Sequence, residues 1–342
     1  MKFRGDSGSD HRRIIFRTVM LPLLILSVLT IGCSYLPRNA GHEVYAPAKY
    51  GSDRFANVMG YNIHYVEAGE GPSVLLIPGA FCTYRVWNPV IRYLSKDYRV
   101  FAVDYLGVGD SDKPDRFGYS VEEQADVIAA LIRGLNLRKV FLVGASYGSV
   151  ISLDLASRYP ELVEAVVGIE GGVLTVPKIL RYKGISDILR WPVAGDIMLA
   201  LMKTNPFPET VAKYIIGGAW DGLTKAQREE MSEVFSANIG TASRVSWSAI
   251  DRTISGTINI TDKVRKTEVP VVYLYGGASR YRDMSEVNAR FFLESMPSAR
   301  VVRFEDGVHD LHLQYPEQVA GVITGYWKEK LAANMREELP RP

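Results

Sequence analysis

Four short runs in this chain are apolar on both faces: SVLLIPG (73–79), YRVFAVDY (98–105), KVFLVGA (139–145) and EAVVGIEG (164–171). Stretches of helical periodicity, such as VEEQADVIAALIRGL (121–135), separate them. A strand can be apolar on both faces only if helices cover both sides of its sheet. The pattern therefore predicts an α/β fold with a mostly parallel central sheet flanked by helices. Upstream, RFANVMGYNIHYVEAG alternates and breaks at Gly60, as two strands joined by a turn would, which places His64 on an edge strand.

After residue 171 the alternation stops. Residues 172–265 read as several short helices punctuated by Pro177, Pro192, Pro206 and Pro208. The α/β pattern resumes with VPVVYLYGG (269–277), a helix near 284–296, ARVVRFEDG (299–307) and a last helix from about Pro316 to Leu331. There is no internal repeat and no low-complexity segment.

The passage KVFLVGASYGSVISL (139–153) runs from a strand pattern directly into a helix pattern. A strand that turns at once into a helix needs glycines two residues either side of the turn, so that the neighbouring elements can pass. Gly144 and Gly148 stand there, with Ser146 between them. Such a turn pushes Ser146 Oγ outward, beside a helix N-terminus where the Tyr147 N–H is free to stabilise an oxyanion. Five residues with three fixed positions also arise by chance, so this stretch alone leaves open both a nucleophile and a serine in a turn.

At 342 residues and 47% hydrophobic, the chain can fill one large domain with an insertion. A net charge of +2 with no basic cluster in the body gives no reason to expect a nucleic-acid partner. Cys33 and Cys82 cannot form a disulfide framework, and the five histidines show no metal-ligand spacing, so neither metal nor cofactor is expected. Near the N-terminus, Arg12, Arg13 and Arg17 precede the uncharged run TVMLPLLILSVLTIGC (18–33). It reads as an export signal, being shorter than the roughly 20 residues of a membrane-spanning helix and carrying Pro22; an uncleaved anchor is the alternative. LTIGCS resembles a bacterial lipoprotein cleavage box, although Thr30 replaces the usual aliphatic residue. That resemblance implies a lipid on Cys33 and a place in the cell envelope, with the membrane as a partner.

The pieces GASYG (144–148), DYLGVGDS (104–111), LLIPGAFCTYRVW (75–87) and GVHDLHLQYPEQV (307–319) stand in this order. With them the chain resembles the α/β-hydrolase superfamily over about residues 54–335. The resemblance implies an α/β-hydrolase fold and divides the chain into an export segment (1–32), a linker (33–53), a core (54–171), a helical cap over the active site (172–265) and the rest of the core (266–342). It assigns turn duties to Asp104, Gly107, Gly109 and Ser111, and a second oxyanion donor to the Ala80 N–H. Pro78-Gly79 replaces the usual His-Gly there, but only backbone is required. Trp87, Trp191, Trp220 and Trp247, four of the five tryptophans, are expected to pack in the core or cap.

The resemblance also implies a catalytic histidine, and His309, seven residues before Pro316, has the family spacing. His312 is expected to pack beside the pocket. The position that usually holds the triad's aspartate is Ser279 here. Among acids near strand ends, Glu170 is the best placed, because one branch of the haloalkane dehalogenases takes its acid from the end of the same strand; Asp283 is the rival. An aspartate at the elbow would imply an alkyl-enzyme ester, whereas serine implies acyl transfer through an acyl-enzyme. The expected activity is carboxylic ester hydrolysis of a small molecule. An acyltransferase, a perhydrolase and a non-catalytic binding protein on the same fold are the alternatives.

Overall fold

A computed structural model of the chain describes residues 45–175, 185–204 and 207–337. The expected export segment and Cys33 lie outside the described residues. No described helix is long and apolar enough to cross a membrane.

The fold opens with an antiparallel hairpin, β1 (Ser52–Val58) and β2 (Tyr61–Ala68). Its two turn residues, Met59 and Gly60, both have positive φ, the backbone that matches a hairpin's twist. Strands and helices then alternate: β3 (Ser73–Ile77), α1 (Asn88–Leu94), β4 (Arg99–Val103), α2 (Val121–Gly134), β5 (Val140–Ala145), α3 (Tyr147–Arg158) and β6 (Val163–Ile169). Next comes β7 (Leu174–Thr175), followed by α4 (Ile185–Leu189), α5 (Pro192–Met202), α6 (Phe207–Ile216), α7 (Lys225–Gly240) and α8 (Arg244–Ile254). β8 (Ile258–Asn259) pairs back onto β7 and closes the base of this insertion. The chain then runs through α9 (Thr261–Val264), β9 (Val271–Gly276), α10 (Arg282–Ser295), β10 (Arg300–Phe304), α11 (Leu311–Gln314) and α12 (Pro316–Glu337).

The sheet order is β1-β2-β4-β3-β5-β6-β9-β10, with β2 antiparallel to both neighbours and the other pairs parallel. Every central parallel strand therefore ends on the same side, where open α/β sheets bind their ligands. One face packs against α2 and α3 through residues such as Leu131 and Val150; the other packs against α1 and α12 through Ile91 and Trp327. The Trp327 ring stacks on Phe141 at 4.5 Å between centroids. This two-sided burial is the reason the core strands carry no alternation. Trp87, Trp220 and Trp247 are buried as expected, but Trp191 is 70% exposed at the start of α5.

His64 departs from the expectation of an edge strand, since β2 lies between β1 and β4 and the imidazole is fully buried. Its Nδ1 lies 2.8 Å from Asp104 Oδ2 and its Nε2 lies 3.0 Å from Asp53 Oδ1. A carboxylate only accepts, so the geometry calls for a proton on each ring nitrogen. Burial pulls the His64 pKa down, but the bond to Asp104 and the charges of Asp104 and Asp110 outweigh it, and the net shift is upward. Ring nitrogens and carboxylate oxygens of His64, Asp104 and Asp110 come within 4.8 Å of one another. Hydrogen bonds already occupy both Asp104 oxygens, which accept from the N–H groups of Tyr84 and Asp110. The cluster thus reads as an ionic tie between β1, β2 and the loop after β4.

Replacing His64 with leucine would leave Asp104 buried without its partner, and should cost about 3–5 kcal/mol of stability. Because the folded pKa of His64 is raised, its stabilising contribution is complete below its unfolded pKa and disappears as pH rises through the folded value. Urea unfolding across this range should therefore show the deficit of His64→Leu shrinking with rising pH.

Candidate active site

Ser146 stands between β5 and α3 with φ +51° and ψ −117°, a strained conformation for a residue with a side chain. Its neighbours hold it there: its N–H donates to the Ile169 carbonyl at 2.7 Å. A Cβ on Gly148 would overlap the carbonyl oxygens of Ile77 and Pro78, and one on Gly171 would overlap that of Ser146. Only glycine lets these three strand ends approach so closely.

Glu170 follows β6 directly, also with positive φ (+54°), and is almost completely buried. Oε1 accepts the Gly276 N–H at 2.6 Å. Oε2 accepts from Ser279 Oγ and Ser285 Oγ, each at 3.0 Å, and lies 3.3 Å from His309 Nδ1. Four donors around one carboxylate compensate the cost of burying it. Ser279 occupies the place where the triad aspartate was expected, and it donates instead to the acid one strand over.

His309 follows β10 and is 17% exposed. With Nδ1 facing a carboxylate, Nδ1 carries the proton and Nε2 is left as the acceptor. The Tyr281 ring meets the imidazole edge to face at 4.7 Å. Burial lowers the His309 pKa, while the Glu170 bond and the charges of Asp310 and Glu170 raise it; the net shift is upward. His312 behaves oppositely. It is buried 4.6 Å from the Trp87 ring, and desolvation together with the His309 charge pushes its pKa down to about 3.

Ser146, Glu170 and His309 all line one cavity of about 110 Å³, as do Ala80 and Tyr147. Tyr147 is the first residue of α3, so its N–H belongs to the helix's unpaired first turn. Phe81, Val86 and Val150 of the core and Phe235, Ile254 and Ile258 of the insertion form apolar walls. Asp310 also lines it, with its carboxyl raised in pKa chiefly by burial. Asp283 is elsewhere: in the first turn of α10, its side chain 87% exposed and 3.5 Å from Arg282. Sequence reasoning did not find Ser285 or the Gly276 N–H as partners of Glu170, because they lie 115 and 106 residues away along the chain.

Comparison with known proteins bears on the fold. A family model described as the alpha/beta hydrolase fold matches residues 72–191, which carry the elbow and Glu170. The chain is 36% identical over 148 residues to haloalkane dehalogenase 2 of Mycobacterium tuberculosis, covering 43% of this chain and 50% of that one. It is 41% identical over 104 residues to 2-(acetamidomethylene)succinate hydrolase of Mesorhizobium japonicum, covering 30% and 37%. The chain thus spans about half the length, or less, of these curated relatives. A bromoperoxidase structure from Bacillus anthracis superimposes with a TM-score of 0.67 at 20% identity, covering 81% of this chain and all of that one. The fold is the α/β-hydrolase fold.

Since Glu170 is one of the groups that raise the His309 pKa, Glu170→Gln should make the imidazole titrate at lower pH. Asp283→Asn should leave it unchanged. Nitrogen-15 NMR of the histidine rings reads both, and an unmoved His309 in Glu170→Gln would contradict the coupling.

Proposed function

We propose that this protein is a serine hydrolase acting on carboxylic esters through an acyl-enzyme on Ser146. The observation that carries the reading is the hydrogen-bonded line from Ser279 and Ser285 through Glu170 to His309 Nδ1, of which Glu170 and His309 line the same cavity as the strained Ser146. In this reading His309 Nε2 takes the Ser146 hydroxyl proton as Oγ attacks the ester carbonyl carbon. The carbonyl π electrons move to its oxygen, which the N–H groups of Ala80 and Tyr147 receive. Collapse of that intermediate expels the alkoxide, which recovers the proton from His309. Water, deprotonated by the same imidazole, then attacks the acyl carbon, and the bond from that carbon to Ser146 Oγ breaks as Oγ takes the proton back, which releases the acid.

Glu170 orients the ring and balances the imidazolium formed in each step. The serine at the elbow favours acyl chemistry over the alkyl-ester chemistry that an aspartate would serve. The insertion between β6 and β9 acts as a cap in this proposal, because it supplies Thr175, Phe235, Ile254 and Ile258 to the cavity wall.

A fluorophosphonate probe should label the protein, and Ser146→Ala should abolish the label. Glu170→Gln should reduce kcat on a short-chain ester by about 10³–10⁴-fold, with Asp283→Asn near unchanged. His309→Ala should lose acyl-enzyme formation while His312→Ala retains activity. Because the base must be neutral, kcat/KM should climb as pH rises through the raised His309 pKa. Folded protein that takes up no probe would refute the hydrolase reading.

We also propose, from the sequence around Cys33 alone, that the chain is exported and lipid-modified there. Metabolic palmitate labelling that disappears in Cys33→Ala is the expected result.

A further inference from the structure

Helix α5 does not follow the usual rule for a helix on a protein surface. Its inner side is apolar as it should be: Leu199 and Met202 pack with Leu189, Ile239, Ala242 and Trp247. Its outer side is apolar too. Trp191, at the N-cap, is 70% exposed, Val193 is 70%, Ile197 is 40% and Leu201 is 61%. Val193, Ile197 and Leu201 repeat every four residues and so form one stripe along the solvent side. These four are half of the large hydrophobic residues that the described chain exposes. The helix carries a single charge, Asp196, and Arg244 holds it at 3.0 Å.

A helix that is apolar all round and lies on the outside of a domain has a second apolar surface to meet. Two observations indicate which. The first is the place where the described chain begins. The Tyr45 ring lies against Gly240, at the end of α7. Ile239 and Ala242, on either side of that glycine, are residues on which α5 packs. The described chain therefore begins against α7, the helix on which α5 packs. The second is what precedes Tyr45 in sequence: the uncharged apolar run 18–33, which follows Arg12, Arg13 and Arg17. The twelve Cα-to-Cα steps from Cys33 to Tyr45 reach at most about 40 Å.

From this convergence we propose that the outer face of α5 docks on the surface of a phospholipid bilayer. Trp191 sits at the headgroup level, and Val193, Ile197 and Leu201 enter the acyl boundary. An indole at the edge of an apolar stripe suits that interface, since its ring is apolar and its N–H can reach water. The contact would hold one side of the insertion against the membrane. It does not depend on the chemistry at Ser146.

The structure supplies its own probe. Of the five tryptophans, Trp87, Trp220, Trp247 and Trp327 are buried and only Trp191 is exposed. The experiment uses the full chain in vesicles of phosphatidylcholine and phosphatidylglycerol, with and without brominated acyl chains, and Trp191→Phe to assign the emission. Brominated lipid should remove most of the Trp191 emission, and acrylamide in the water phase should remove little. In Val193→Asn/Ile197→Asn/Leu201→Asn the pattern should reverse, with the near-UV signal of the four buried tryptophans confirming the fold. Strong acrylamide quenching in the unaltered protein would place the face in water and overturn the proposal. Resistance to both quenchers would mean that a second copy or residues 18–33 cover it, which also overturns it. Loss of ester hydrolysis with lipid quenching intact would count against the Ser146 reading and leave this one standing.

Discussion

The hydrogen bond from the Ser146 N–H to the Ile169 carbonyl, 2.7 Å long, is the constraint from which the site follows. It ties the elbow at the end of β5 to the last residue of β6, immediately before Glu170. Ser146 and Glu170 both adopt positive φ. Two residues that would each resist this backbone directly follow the paired strand residues Ala145 and Ile169, and Gly171 leaves room for the Ser146 carbonyl. Ser146 and Glu170 are thus fixed by adjacent strands of one parallel sheet, and His309 arrives from farther along the chain.

Placing the acid after β6 changes the task of the loop after β9. That loop now supplies donors: the Gly276 N–H and the Ser279 hydroxyl converge on the Glu170 carboxylate, joined by Ser285 from α10. A buried carboxylate with too few donors would be costly and would drift from the imidazole. With them it has a fixed orientation, and His309 inherits that orientation through Nδ1. The opposing influences on the imidazole then balance usefully. Burial disfavours the imidazolium, the neighbouring carboxyls favour it, and Arg280 works against it. In the proposed mechanism these carboxyls stabilise the imidazolium once His309 has accepted a proton.

The strands were legible because burial on both faces leaves a mark in composition, and the elbow because its glycines are a steric necessity. Glu170 could be singled out because it follows the C-terminal end of a core strand, where one branch of the similar haloalkane dehalogenases carries its acid. Ser285 left no such mark: nothing in its neighbourhood distinguishes a hydroxyl that donates to a carboxylate from one facing water. His64 was misplaced for a different reason. Alternation in β2 signals one wet face, but β1 and the loop carrying Asp104 cover it, and an imidazole between two carboxylates looks in sequence like any polar residue on an open strand. Trp191 shows the same limit in reverse, since an apolar helix pattern cannot say whether its second face is buried.

The division of labour between sheet and insertion has a mechanical consequence. Every group proposed to move a proton hangs from a strand end or from the loop after β10, on elements paired into one sheet. Phe235, Ile254 and Ile258, which close the cavity from the other side, sit on α7, α8 and β8. The β7–β8 ladder pairs the two ends of that insertion, and hydrogen bonds as well as packing join it to the core: Ser246 Oγ donates to the Gly107 carbonyl, Thr253 Oγ1 to the Tyr119 carbonyl, and the Thr83 N–H to Asn238 Oδ1. Substitutions at these wall residues can therefore reshape the cavity without removing any hydrogen bond that holds Ser146, Glu170 or His309. Docking of α5 would act on those walls first, because α5 packs on Ile239 in the same helix that carries Phe235.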